Sequence, residues 1–243
     1  MKIGIVIPTY NEAENIVRLI EELNKLPWEL DILVVDDDSP DNTSDLVIDR
    51  FKNQDNIFVL TRKKEKGRGI ACIDGFKYLL NNSKTYDCIF EMDADFSHRP
   101  QDINLFLEKI KDFDIVIGSR FIKGGKVINL SLGRRLFSRL SNIYARLILK
   151  IPITDYTTGF RCYRYSLLKS FDFNLVEEKG YIVLSEMAYQ IYLKGYSFGE
   201  VPIVFVNRQK GASKFNPVEI IQAFKRINIL KYSLMKKLRT LKP

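Results

Sequence analysis

The sequence is poor in the residue types that most often carry covalent or metal chemistry. It has one histidine, one tryptophan and three cysteines in 243 residues. Cys72, Cys88 and Cys162 are odd in number and show no Cys-x-x-Cys or His-linked spacing. That excludes a disulfide framework and a structural zinc site, and leaves free thiols in a reducing compartment as the expectation. No run of 18 apolar residues occurs, so no membrane-spanning helix is expected. Met1–Ile5 passes straight into a strand-like run, without the apolar stretch and cleavage site of a secretory signal. Three glycine-centred motifs are also missing: Gly-x-Gly-x-x-Gly after the first strand, a Walker A string, and Gly-x-Ser-x-Gly. Their absence disfavours dinucleotide dehydrogenases, P-loop enzymes and α/β hydrolases. Gly67-Arg68-Gly69 is too short for either phosphate-binding loop.

Hydrophobic residues make up 46% of the chain, enough for a sizeable core, and 38 Lys and Arg against 30 Asp and Glu give a net charge of +8. The excess is local. Gln222–Pro243 holds seven basic residues and no acidic one, and Asn129–Lys150 holds five basic residues and no acidic one. Nucleic acid, anionic lipid and phosphorylated small molecules all suit such a balance. The basic stretches lack an aromatic stacking platform or a zinc pattern, so nucleic acid is not expected.

Short β-branched runs alternate with helical patterns. Strands are expected at Ile3–Ile7, Ile32–Asp36, Ile57–Leu60, Cys88–Met92 and Ile115–Gly118, and helices at Glu12–Leu26, Thr43–Phe51, Gly69–Leu80 and Asp102–Lys111. This βαβα rhythm predicts an α/β fold with a mainly parallel sheet covered by helices on both faces. The rhythm then changes. A loop at Lys123–Asn129, a helix at Arg134–Lys150, a polar turn region at Thr154–Gly159, a helix at Ser185–Leu193 and a strand at Val201–Val206 follow. A basic loop, Asn207–Asn216, leads to a final amphipathic helix at Val218–Leu238. One catalytic domain over 1–216 and a C-terminal basic helix within 217–243 are expected.

Ligands of open parallel sheets bind beyond the carboxyl ends of the strands. Those ends are polar here: Pro8-Thr9-Tyr10-Asn11-Glu12, Asp36-Asp37-Asp38-Ser39, Glu91-Met92-Asp93-Ala94-Asp95 and Gly118-Ser119-Arg120. Clustered acids at one sheet edge need a cation or a basic loop to offset them. Asp93 and Asp95 are spaced i, i+2, so in extended chain both carboxylates project to one side. A hard cation such as Mg²⁺ or Mn²⁺, shared with a substrate diphosphate, fits oxygen ligands of this kind. One or two of Asp36, Asp37 and Asp38 are expected to meet a ribose or a base edge. His98, the only histidine, could be a metal ligand or a base, but a lone His before Arg99-Pro100 at a helix start is more often structural.

The strings IVIPTYNEAENI (5–16), VVDDDSPDNT (34–43), KGRGIA (66–71), EMDADFSHRP (91–100), IVIGSRF (115–121), GRRLFSRLSN (133–142), DYTTGFRCY (155–163) and GEVPIVFVNRQKGASK (199–214) occur in one order. Together they resemble family 2 glycosyltransferases of the GT-A fold, in particular polyprenyl-phosphate sugar synthases of the dolichol-phosphate mannose synthase type. The resemblance implies a Rossmann-like sheet and an inverting transfer from a nucleotide sugar to a polyprenyl or dolichyl phosphate. GDP-mannose is the first donor and UDP-glucose the alternative. It implies that Pro8, Tyr10, Glu12 and Asp37 belong to the nucleotide pocket and that Asp93 and Asp95 are the metal pair. Ser97 stands where some relatives have Gln. Arg120 and Arg134 are implied as phosphate ligands, and Arg208 and Lys214 as part of a mobile basic loop over the donor. Two other readings compete. A saccharide acceptor would require a carboxylate base, for which Glu186 is the candidate. A sugar-1-phosphate nucleotidylyltransferase would require a Gly-rich basic loop after strand 1, where PTYNE stands instead.

In the 134–150 helix, Leu136, Leu140, Ile143 and Leu147 share one face and Arg135, Arg139, Arg146 and Lys150 another, with Asn142 between. The last helix places Ile220, Phe224, Ile227, Leu234 and Leu238 along a stripe flanked by lysines. Basic amphipathic helices of this kind lie on anionic membrane surfaces. The expectation is therefore a peripheral enzyme at the cytoplasmic face of a membrane, with room for a membrane-anchoring subunit or segment.

Overall fold

The computed structural model describes residues 1–177, 182–207, 226–229 and 231–232. Nine strands and seven α-helices are defined among them: β1 (Lys2–Thr9), α1 (Ile16–Leu23), β2 (Glu29–Asp36), α2 (Thr43–Phe51), β3 (Ile57–Thr61), α3 (Arg68–Asn81), β4 (Cys88–Glu91), α4 (Ile103–Lys109), β5 (Ile115–Ser119), β6 (Lys126–Ile128), α5 (Leu132–Leu149), β7 (Arg161–Arg164), α6 (Tyr165–Ser170), α7 (Ile182–Leu193), β8 (Phe198–Pro202) and β9 (Val204–Val206). The main sheet has the order β3-β2-β1-β4-β7-β5-β8, and β6 pairs with β9 in a small second sheet. All pairings are parallel except those of β7, which runs antiparallel between β4 and β5. The expected α/β architecture is present.

The period-2 geometry of the strands sorts their apolar residues into two cores. Ile3, Ile5 and Ile7 of β1 and Ile32 and Val34 of β2 pack on one face with Ile16, Leu19, Ile20 and Leu23 of α1, Val47 and Phe51 of α2, and Ile103, Phe106 and Leu107 of α4. Val6, Leu33 and Val35 face the other way. They join Ala71, Phe76 and Leu79 of α3, Ala145 and Leu149 of α5, and Met187 and Ile191 of α7. Each fully buried large side chain contributes on the order of 1.5–3 kcal/mol. Both faces being covered is why β1 and β2 are near-continuous apolar runs rather than alternating ones.

Several boundaries differ from the sequence expectation. The helix expected from Glu12 begins at Ile16, because Asn11 has a positive φ of 60° and Glu12–Asn15 form a turn in which the Asn15 and Ile16 amides both donate to the Glu12 carbonyl. The single strand expected at Val201–Val206 is two: β8 ends at Pro202 on β5, and β9 pairs with β6 in the second sheet. Ile203 is the crossing point. Its amide donates to the Ser119 carbonyl and its carbonyl accepts from Lys126. The segment expected as a loop at Lys123–Asn129 contains β6, and β7 and α6 were not expected at all. Residues 226–229 and 231–232 are helical, and the rest of the expected final helix lies outside the described residues. Ile227 of that helix is buried, and Asn228 Nδ2 donates to the Tyr144 hydroxyl of α5.

Close approach of α3 to β1 and β2 brings the carboxyl edge of the sheet under the start of that helix. It depends on Gly75, where an added Cβ would lie 2.4 Å from Val6 Cγ1 and 3.0 Å from Val35 Cγ2. Alanine is the better helix former by about 1 kcal/mol, but overpacking a filled interface costs about 1–3 kcal/mol. Gly75→Ala should therefore lower stability by about 1–2 kcal/mol in urea denaturation, against the helix-propensity trend.

Candidate active site

The parallel strands β1, β2, β4 and β5 end together, and the antiparallel β7 begins at the same edge, with Glu91 opposite Arg161. Acidic side chains gather there, and each buried one is met by a specific partner. Asp36 is a structural residue. Its carboxylate accepts from Thr9 Oγ1 at 2.8 Å, the Ser39 amide at 2.9 Å and Ser44 Oγ at 3.0 Å, which ties the ends of β1 and β2 to the start of α2. Asp37 is buried and pairs with Arg62, and it accepts from the Gly67 amide at 2.6 Å. Asp38 is exposed at a positive φ of 52°.

These contacts bring most of the expected nucleotide residues together. Tyr10 is exposed at the end of β1, and Lys66 Nζ lies 5.4 Å from its ring centroid. The same ammonium donates to the Asp38 carbonyl at 3.3 Å. Tyr10, the Asp37–Asp38 turn and Lys66 thus form one polar wall. Pro8 is partly buried in β1 beside it. Glu12 is half-buried; its amide donates to Thr43 Oγ1 and its carboxylate accepts from Asn15, so it braces the turn before α1.

Asp93 and Asp95 follow β4. The Asp93 side chain is 30% exposed and accepts from Arg68 Nε at 2.7 Å. Asp95 Oδ1 accepts from the Ser97 amide at 3.0 Å, a turn that presents the carboxylate at the strand end. Ser97 Oγ is buried with no hydrogen-bond partner among the described residues. No cluster of three His, Cys, Asp or Glu suited to a metal occurs among them. Two carboxylates nevertheless suffice for a Mg²⁺-type site when diphosphate oxygens and water complete the shell. The donor set is therefore of the right chemistry for the expected Mg²⁺ or Mn²⁺.

His98 is a structural residue, as expected. It is buried and stacks on Phe160 with centroids 5.0 Å apart, and its Nδ1 accepts from the Asp93 amide at 3.1 Å. Burial lowers its pKa, against the raising influence of Asp93 and Asp95, so it serves as a neutral acceptor that fixes the backbone at Asp93.

Arg120 is not an open cation. Its Nε and Nη2 donate to Asp155 at 2.7 Å each, and Nη2 also reaches Thr157 Oγ1 at 2.6 Å. Burial alone would raise the Asp155 carboxyl pKa, but the Arg120 guanidinium and the hydrogen bonds it makes outweigh that and hold the pKa below its usual range. Arg134 is half-buried in the first turn of α5. Arg208 and Lys214 lie outside the described residues. Glu186 is buried in α7, where it accepts from the Glu177 amide at 3.1 Å and from Gln190 Nε2 at 3.3 Å.

Sequence reasoning missed four residues of this edge: Arg62, Lys66, Arg68 and Asp155. Lys66 and Arg68 lie in the KGRGIA string, whose basic residues were the available signal, and Arg62 stands four residues before it. Arg68 is the most connected. Burial opposes its charge, but Asp93 and Glu91 outweigh burial and keep its pKa well above normal.

Because Asp155 is fully buried and Arg120 largely so, Asp155→Ala leaves a mostly buried guanidinium uncompensated. It should cost about 3–5 kcal/mol in equilibrium unfolding. The lowered pKa means that the stabilisation is complete above the unfolded carboxyl pKa of about 4 and is lost as pH falls through the folded value. Asp155→Asn should accordingly show a shallower loss of stability on the acid side than the wild-type protein.

Comparison with known proteins gives the family of the chain. The chain is 37% identical over 234 residues to an undecaprenyl-phosphate mannosyltransferase from Micrococcus luteus, covering 96% of this chain and 95% of that protein. It is 36% identical over 221 residues to a polyprenol monophosphomannose synthase from Mycolicibacterium smegmatis, covering 90% and 83%. In structure it resembles glucosyl-3-phosphoglycerate synthase from Mycobacterium tuberculosis in complex with Mn²⁺, uridine diphosphate and glucosyl-3-phosphoglycerate, with a TM-score of 0.65 at 18% identity, covering 95% of this chain and 78% of that one. Residues 4–171 match glycosyl transferase family 2, and the chain belongs to that family.

Proposed function

We propose that this enzyme transfers mannose, with inversion, from GDP-mannose to a polyprenyl phosphate lying in a membrane surface. The sugar and the lipid acceptor follow the two mannosyl-transferring relatives, and guanine as the base follows the resemblance of the motifs. The observation that carries the acceptor is α5. Its residues Leu132, Leu136, Leu140, Ile143 and Leu147 are 83%, 61%, 53%, 49% and 68% exposed, one continuous apolar stripe on the outside of the molecule. Arg135, Arg139, Arg146 and Lys150 are exposed alongside it. Asn142, which the helical pattern set between the two faces, instead turns inward with Ala145 and Leu149. The helix thus has a packed face, an apolar outer face and a basic flank, the composition that suits the plane of an anionic bilayer. None of the described helices is long and apolar enough to cross a membrane. The reading is of peripheral contact at the cytoplasmic face.

The acceptor requires no protein base. A phosphate monoester has a second pKa of about 6 and is mostly dianionic at neutral pH, so the nucleophile arrives deprotonated. Glu186 and His98, the two residues open to a base role on sequence, are engaged elsewhere. Leaving-group stabilisation is then the main task. When bound to Asp93 and Asp95, Mg²⁺ or Mn²⁺ supplies charge neutralisation for the departing nucleoside diphosphate. Tyr10, Asp37 and Lys66 orient the nucleoside, with Pro8 and Glu12 shaping its pocket. Arg120, held by Asp155, and Arg134, at the start of the membrane-facing helix, are the cations for the phosphates. Arg208 and Lys214 of the basic 207–216 segment add charge on the donor side.

Asp95→Ala should reduce mannosyl transfer by about 100-fold or more while leaving the circular dichroism spectrum and melting temperature near those of the wild type. Full activity of that variant, or undiminished wild-type activity in excess chelator, would contradict the metal role. The membrane reading has its own test. The protein should co-sediment with anionic vesicles less and less as salt rises, and reversal of Arg135, Arg139 and Arg146 to Glu together, or Leu136→Asp alone, should reduce binding. Equal sedimentation with neutral and anionic vesicles at low salt contradicts it.

A further inference from the structure

Arg68 opens α3 and reaches across the sheet edge to three carbonyl or carboxylate groups on two other segments. Its Nε donates to Asp93 Oδ1 at 2.7 Å, its Nη1 to Glu91 Oε2 at 3.2 Å, and its Nη2 to the Gly159 carbonyl at 3.1 Å. The side chain is 12% exposed. The pocket that receives it is shaped for a guanidinium. A Cβ built on Gly159 would lie 1.9 Å from Nη2 and 2.6 Å from Cζ, so residue 159 must lack a side chain for Arg68 to sit where it does. Glu91 does not depend on Arg68 alone. Tyr163 donates to its Oε1 at 2.8 Å, and Arg161 lies 3.9 Å away. Arg68 therefore falls mainly to Asp93, the first carboxylate of the metal pair.

We propose that Arg68 is a positioning residue that stands in for the metal: in the metal-free enzyme its guanidinium neutralises the Asp93 carboxylate, and the divalent cation binds against this resident charge. The inference rests on the reading of Asp93 and Asp95 as metal ligands. Two effects act on the metal in opposite senses. Holding Asp93 in one rotamer favours binding, but fixing a side chain this short carries little entropy. A guanidinium on the same carboxylate repels a divalent cation a few ångström away, and in a partly buried site that repulsion is the larger effect. Arg68 thus weakens metal binding to the protein alone and keeps the acidic edge folded until the metal arrives. When the donor's diphosphate contributes its own negative charge, the balance shifts back towards the metal, so that metal and donor favour each other's binding.

Arg68→Met removes the charge and keeps a long apolar side chain. Titrated with Mn²⁺ alone and followed by the electron paramagnetic resonance signal of the free ion, this variant should bind Mn²⁺ about tenfold more tightly than the wild type. Without metal it should melt at a lower temperature, and saturating Mn²⁺ should raise its melting temperature more than that of the wild type. Gly159→Ala is the second variant, for use if Arg68→Met does not fold. It displaces the guanidinium through the backbone side of the pocket and should also tighten Mn²⁺ binding, while Arg68→Lys, which keeps a charge near Asp93, should stay close to wild type. If the wild type binds Mn²⁺ and the folded variants bind it equally or more weakly, Arg68 is not a stand-in for the metal. If neither the wild type nor Arg68→Met takes up Mn²⁺, alone or with a nucleoside diphosphate, the metal assignment itself falls, and this inference with it.

Discussion

The carboxyl edge of the sheet carries more negative charge than a partly buried surface can hold unaided, and three arginines hold it together. Arg62 meets Asp37, Arg68 meets Asp93 and Glu91, and Arg120 meets Asp155. Each arginine comes from the segment just beyond a strand or at the start of the following helix, and each reaches a carboxylate on a different element. The geometry suits arginine rather than lysine, because a planar fork can satisfy two acceptors at once, as Arg120 does with both oxygens of Asp155. Without these pairs the strand ends would repel one another, and the loops they anchor would have no fixed position relative to the sheet.

The same pairs separate two kinds of acid that look alike in the sequence. Asp36 and Asp155 are buried and saturated, and so belong to the scaffold. Asp93 and Asp95 follow the last residue of β4 on a turn, partly open to solvent. Asp37 is intermediate, since its carboxylate orders the Arg62–Gly67 segment that brings Lys66 to Tyr10. A row of three aspartates after a strand thus divides into a brace, an organiser and an exposed turn residue, each role decided by what reaches it from the neighbouring connections.

How far the sequence revealed this depends on how local each signal was. The central parallel strands and the acidic string after β4 could be read because apolar runs and the i, i+2 spacing are local patterns. β7 could not. It is four residues long, reads Arg-Cys-Tyr-Arg, and lies fully within the sheet. Arg161 is tolerated there at 0% exposure because the Thr158, Leu184 and Tyr156 carbonyls accept from its guanidinium, a set of partners visible only in three dimensions. The apolar run Val201–Val206 gave no sign that it changes sheets at Ile203, since both halves are equally apolar. Arg68 was visible as a letter but not as a hub, because its partners lie 23, 25 and 91 residues away.

The outer helix α5 and Arg120 are linked by a short polar chain. Asn142 is a buried polar residue of α5. Its Oδ1 accepts from the Tyr156 amide at 2.6 Å, and its Nδ2 donates to Thr157 Oγ1 at 3.2 Å. Thr157 Oγ1 in turn accepts from Arg120. Behind this, Glu200 of β8 accepts from the Thr154 amide and hydroxyl, so the 154–157 turn is fixed on both sides. On the proposed function, a donor at the sheet edge would have to meet a lipid phosphate held at a set depth in its bilayer. Reacting atoms need to come within about 3–3.5 Å in the right orientation. A helix proposed to face lipid serves that only if its height relative to the sheet edge does not vary. Asn142 and Thr157 fix α5 to the 154–157 turn and to Arg120 through direct hydrogen bonds rather than through a flexible linker. This accounts for an asparagine on the packed face of a helix whose other inward residues, Ala145 and Leu149, are apolar.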